Sequence, residues 1–101
     1  MRLILFFDLP NTTKKEAKEY RKFVKGIKKI GFYMMQESVY VKMAIDKHSI
    51  DSTMRHLDCI TPPVGNINVL TITEKQFASM HILLGDNKTD VLNSVERVVI
   101  L

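Results

Sequence analysis

The chain opens on an unbroken apolar run, Leu3 to Phe7, closed at once by Asp8-Leu9-Pro10. A short apolar run ended by proline predicts a buried strand over residues 2–8. Its pleat puts Leu3, Leu5 and Phe7 on one face and Ile4 and Phe6 on the other, so both faces require cover. Asn11-Thr12-Thr13 then offers capping oxygens, and Glu16 follows Thr13 at capping-box spacing. Ala17, Tyr20, Phe23, Val24, Ile27 and Ile30 recur at three- and four-residue steps, which is one apolar helix face, and Gly31 ends it. Phe32–Met35 and Ser38–Ile45 read as strands joined tightly through Gln36-Glu37, with Val39, Val41, Met43 and Ile45 on one side. Asp46 caps a second helix whose inner face is Ile50, Met54, Leu57 and Ile60, stopped by Pro62-Pro63. A fourth strand is expected over Gly65–Thr73.

The order strand, helix, strand, strand, helix, strand is that of an α+β, ferredoxin-like domain, an antiparallel sheet with both helices on one face. Thr73-Glu74-Lys75-Gln76 is a further capping-box pattern, so a helical turn is expected over Thr73–Met80. Beyond it, Ile82–Leu84 and Val98–Leu101 read as short extra strands around a polar loop, Asp86 to Asp90. The chain is read as one domain, 1–101, with 81–101 as a C-terminal extension for dimer or partner pairing. A homodimer is expected because two helices cover only one face of a strand that is apolar on both. Pairing of Val98–Leu101 onto a neighbour's sheet would supply the second cover. The alternative is that the tail folds over its own sheet.

Charge sharpens this picture only when it is located. Eight basic residues and two acidic ones lie between Lys14 and Lys29, whereas the rest of the chain has seven basic and nine acidic residues. One predicted helix therefore carries the whole positive excess, which points to a polyanionic partner. Lys14, Lys15, Lys18, Arg21, Lys22 and Lys25 are the candidate nucleic-acid contacts, and Lys28 and Lys29 extend the surface. No aromatic residue is expected among these cations, so backbone tracking is favoured over base stacking. The competing reading is a solvated helix face.

The single Cys59 allows no internal disulfide and fits a reducing cytoplasm; it is expected as a small core or boundary residue. One cysteine and three scattered histidines make no zinc site. No segment has the length and apolarity to cross a membrane, and the N-terminal run is too short for a signal peptide. Glycine-rich phosphate loops and nucleophile–base pairs are lacking, which removes most cofactor-dependent and covalent chemistries. Asp8 is the first candidate for chemistry, because a carboxylate ending a buried strand needs a cation, N–H donors or a proton. It could equally cap the next helix or accept N–H bonds in its own turn. Tyr33, Gln36 and Ser38 are secondary candidates for phosphate contact near Asp8. His48, His56 and His81 are read as surface residues, and the methionines as core or interface packing.

Phe7-Asp8-Leu9-Pro10, the Lys/Arg-rich helix, Gly31-Phe32 and Met35-Gln36-Glu37-Ser38-Val39-Tyr40 together resemble the small CRISPR-associated spacer-acquisition proteins, the Cas-two family. Leu70 to Met80 is similar to members that accompany single-protein DNA-cleaving effectors. The resemblance implies a homodimer that bridges two dimers of the larger acquisition protein, the integrase, and holds double-stranded DNA. It also implies a magnesium-dependent endonuclease with Asp8 as catalytic residue and metal ligand, and RNA as a further substrate. One carboxylate per chain is thin for magnesium, so the ion is expected to be shared between the two Asp8 side chains of the dimer. A toxin-like, metal-dependent endoribonuclease unrelated to CRISPR integration is the alternative.

Overall fold

The computed structural model describes residues 1–85. The strands are β1 (Arg2–Asp8), β2 (Tyr33–Gln36), β3 (Val39–Met43) and β4 (Asn66–Ile72). The helices are α1 (Lys14–Ile30), α2 (Lys47–Ile60) and the short α3 (Glu74–Ala78). All strand pairs are antiparallel, in the order β2-β3-β1-β4. This is the ferredoxin-like arrangement expected from the hydrophobic pattern.

Each helix starts where its capping residues stand. Thr13, Asp46 and Thr73 all form reciprocal capping boxes, with Glu16, Ser49 and Gln76 respectively. Gly31, at φ 121°, ends α1 and donates its N–H to the Ile27 and Lys28 carbonyls. The β2–β3 turn is tighter still: Ser38 takes φ 66°, and its carbonyl accepts the Phe7 N–H at 3.1 Å. That bond fastens the turn to the end of β1.

β1 is central, so its alternation sorts the molecule into two sides. Leu3, Leu5 and Phe7 point into a core closed by Phe23 and Ile27 of α1, Leu57 of α2, and Phe32, Tyr40 and Ala44. Phe7 is its hub, with ring centroids 5.3 Å from Phe23, 5.8 Å from Tyr20 and 5.9 Å from Tyr40. The opposite face carries Arg2, Ile4, Phe6 and Asp8 of β1, beside Met43, Val41 and Val39 of β3 and Ile72, Leu70, Asn68 and Asn66 of β4. Val39, Val41 and Met43 do share a side, and it is the side away from the helices. Ile45 lies beyond the end of β3 and is 86% exposed.

Part of this second face is covered from within the chain, which the hydrophobic pattern did not predict. α3 folds back against it, burying Phe77 and Ala78. The Arg2 guanidinium lies 4.5 Å over the Phe77 ring centroid. Its Nε donates to both Glu74 carboxylate oxygens at 2.9 and 3.0 Å, and Nη1 donates to the Tyr33 hydroxyl at 2.8 Å. Arg2 is almost fully buried, so this triple engagement is what makes its burial tolerable. Burial alone would lower its affinity for a proton; Glu74 and Tyr33 reverse that and hold it charged.

Two expectations fail in the described region. Cys59 is exposed on α2 rather than in the core or at its boundary. Ile82–Leu84 is not a strand, and Leu83 and Leu84 are almost fully exposed. Apolarity alone does not make a strand; it needs pairing with a neighbour, and these residues pair with none among the described residues. Val98–Leu101 and the loop at Asp86 to Asp90 lie outside the described residues.

The α1 cap makes folding stability depend on pH. The Glu16 carboxylate accepts from the Thr12 hydroxyl at 2.8 Å and from the Thr13 and Thr12 N–H groups at 3.0 and 3.1 Å, which holds it below the usual glutamate range. A depressed carboxylate stabilises the fold fully above its unfolded pKa, and that stability is lost as pH falls through the folded value. Urea denaturation at stepped pH should show this loss in wild type and a flatter acid limb in Glu16→Gln.

Candidate functional site

The residues singled out from the sequence separate onto two sides of the sheet. Asp8 has the parity of Arg2, Ile4 and Phe6 and lies on the face away from α1 and α2. Its carboxylate is exposed and makes no hydrogen bond or ion pair among the described residues. Neither structural alternative holds for it: Thr13 caps α1, and the Asp8 side chain accepts no N–H in its own turn. The expectation that burial forces a partner on Asp8 is also corrected, because the open half of the face leaves this strand end in solvent.

Asp8 stands opposite Asn66 in the β1–β4 register, and Phe6 opposite Asn68. On the same face Phe6 and, opposite Ile4, Leu70 are 42% and 53% exposed, a half-uncovered apolar field on the strand that ends in this unpartnered carboxylate; Met43, 54% exposed, lies at the other end beside Arg2. Gly65 sets this corner. At φ 113°, a Cβ there would lie 2.9 Å from the Asp8 carbonyl oxygen and 3.3 Å from Leu9 Cα, so only glycine lets β4 begin so close to the end of β1. Gln36 and Ser38 lie at this end of the sheet, since Gln36 pairs with Val39 and the Ser38 carbonyl with the Phe7 N–H. Tyr33 does not: it pairs with Val41, and its hydroxyl is committed to Arg2 at the other end of β1.

Magnesium prefers several hard oxygen ligands, and an exposed Asp8 beside the Asn66 amide offers that chemistry. Among the described residues no group of three His, Cys, Asp or Glu side chains comes together.

The second surface is α1. Lys14, Lys15, Lys18, Arg21, Lys22, Lys25, Lys28 and Lys29 are all exposed along it. Arg21, Lys25 and Lys28 form a stripe toward β3, where they share a shallow concavity with Tyr20, Val24 and Tyr40. Lys15 and Lys22 lie instead along clefts lined by the Pro62-Pro63 segment. Tyrosine rings therefore do stand among these cations, contrary to the sequence reading. Tyr20 was visible as part of the apolar stripe; Tyr40 reaches α1 only through the fold. Burial, and then the nearby Tyr20, push the Tyr40 hydroxyl above the usual tyrosine range, so it remains a donor at neutral pH.

The family model for "CRISPR associated protein Cas2" matches residues 1–80. The chain belongs to the CRISPR-associated Cas2 family. It is 46% identical to a CRISPR-associated endoribonuclease Cas2 of Ligilactobacillus salivarius and 45% identical to one of Treponema denticola, each over the whole of both chains. A protein of the same name from Streptococcus mutans serotype c is 45% identical over the whole of this chain and 93% of its own. Family membership places the chain among CRISPR-associated proteins. No helix among the described residues is long and apolar enough to cross a membrane.

Gly65→Ala tests the corner that places Asp8. It should lower folding stability by more than about 1 kcal/mol and shift the Asp8 and Leu9 amide resonances. Wild-type stability and an unchanged spectrum would contradict the close approach.

Proposed function

We propose that this chain is a homodimeric scaffold of CRISPR spacer acquisition that holds duplex DNA on its α1 surfaces and bridges two dimers of the larger acquisition protein, the integrase. The observation that carries this reading is the outer face of α1, where eight exposed cations are offset by only two carboxylates, one of them, Glu16, tied into the helix cap. Sequence-independent contact with phosphates needs cations held at regular spacing on a rigid element, and a helix packed through Phe23 and Ile27 provides that. A second copy seated on the open half of the sheet would cover Phe6 and Leu70 and place two basic helices on one particle.

Phosphodiester cleavage is the second activity proposed, and the names of the relatives, endoribonucleases, make RNA its first test substrate. The pairing that covers Phe6 and Leu70 would bring together the two Asp8 carboxylates, each half of a magnesium site. Bound magnesium would neutralise charge on the scissile phosphate and make a water more acidic. Asp8 would hold the ion, the Asn66 amide could hydrogen-bond the carboxylate or substrate, and the apolar rim would limit water.

Asp8→Ala and wild type should be compared with the cognate integrase for spacer integration and, alone, for magnesium-dependent cleavage of RNA and DNA. The proposal predicts integration by both proteins and cleavage by wild type only. Failure of Asp8→Ala to integrate while folded would contradict the scaffold; equal cleavage by both would contradict the Asp8 site. Reversing Lys14, Lys18 and Arg21 to glutamate should weaken duplex binding at least tenfold and reduce its salt dependence. Unchanged affinity would refute the α1 surface.

A further inference from the structure

The concavity between α1 and β3 differs from the rest of the basic surface in one respect. Tyr40 is 4% exposed, yet its hydroxyl makes no hydrogen bond among the described residues and is not sealed from solvent. A buried ring whose hydroxyl alone reaches solvent holds a donor available to an incoming group. The Tyr40 ring is stacked on Phe7 at 5.9 Å, which fixes the position of that hydroxyl. Tyr20, held edge-on to the same Phe7, lines the concavity beside it. Arg21, Lys25 and Lys28 complete the rim at the i, i+4, i+7 spacing of one helical stripe.

We infer that this concavity is a seat for a single backbone phosphate of a bound nucleic acid, with Tyr40 and Tyr20 as neutral hydroxyl donors and Arg21, Lys25 and Lys28 as the charged rim. The inference rests on the nucleic-acid reading of α1 above and adds to it a fixed point of contact. A row of mobile lysines neutralises a backbone without choosing where each phosphate sits. Rigid phenols set a position, because an O–H donor on a packed ring gains its bond only when the phosphate oxygen arrives there. The concavity, about 330 Å³ and open to solvent, suits a group that remains attached to a larger molecule. Tyr40 is held protonated by its burial, so it can donate to a phosphate oxygen across the physiological range.

Two effects separate this seat from a diffuse positive field. Removing a neutral hydroxyl changes affinity without changing the number of phosphates neutralised, whereas removing a cation changes both. The test is fluorescence anisotropy of a mixed-sequence DNA duplex over a salt series with wild type, Tyr40→Phe and Lys25→Ala. In parallel, tyrosine ring-carbon resonances of wild type are followed on addition of the duplex or of inorganic phosphate alone. Tyr40→Phe should bind about threefold to tenfold more weakly at every salt concentration, with the log–log slope unchanged. Lys25→Ala should bind more weakly and lose about 0.9 from the slope. The Tyr40 resonance should move with duplex, and much less with free phosphate.

If the duplex binds Tyr40→Phe as tightly as wild type and the tyrosine resonances stay still, the seat is overturned while the α1 surface stands. If no protein binds the duplex at any salt concentration, the nucleic-acid reading falls and the backbone assignment with it. Saturable shifts with inorganic phosphate but none with duplex would overturn the backbone assignment in favour of a free anion. Tyr40→Phe removes only a solvent-facing hydroxyl with no protein partner among the described residues, so its fold should persist; circular dichroism and the thermal midpoint verify this in the same preparation.

Discussion

A central strand that is apolar on both faces needs two covers, and the remainder of this fold is arranged around how β1 obtains them. The first is complete: α1 and α2 seal Leu3, Leu5 and Phe7. The second is partial. α3 and the Arg2–Glu74–Tyr33 cluster close the end of the opposite face near Arg2, and the end bearing Phe6, Leu70 and Asp8 stays open. The boundary between closed and open halves decides what the chain can do. Where the face is closed, its charge is neutralised internally; where it is open, an unpartnered carboxylate and an apolar field face outward together.

The same pleat keeps the two proposed surfaces apart. Asp8 and the α1 cations are close in sequence but lie on opposite sides of the sheet. Nucleic acid can lie along α1 without contact with the Asp8 corner of the same copy. This separation gives a physical reason why scaffolding and cleavage could be independent properties of one small domain.

Local physics was legible in the sequence because local residues carry it. The capping boxes at Thr13 and Thr73, the Asp46 cap, Gly31, the helical stripe of α1 and the two-sided character of β1 all follow from spacing within a few residues. Contacts between distant residues were not legible. Arg2 meets Glu74 across 72 positions and Tyr33 across 31, and nothing in periodicity announces that a five-residue helix will fold back over the sheet. Tyr40 was assigned to a strand, yet only the crossing of β3 beside α1 brings its hydroxyl among Arg21, Lys25 and Lys28. Asp8 was expected in a buried environment, and the half-open face supplies solvent instead. Ile82–Leu84 shows the same limit, since strand formation depends on pairing across the fold and not on composition.

The central claim is that the open half of the second face is closed by a second copy, in a two-fold pairing that brings the Asp8 corners together. The most direct measurement is the distance between spin labels on Asn66→Cys, beside Asp8, in a Cys59→Ser background that removes the exposed native thiol. The account predicts a concentration-dependent dimer with one short, narrow inter-label distance, lost when Phe6 and Leu70 are replaced by lysine. A protein that stays monomeric at high concentration, or a dimer whose labels lie far apart, would contradict it.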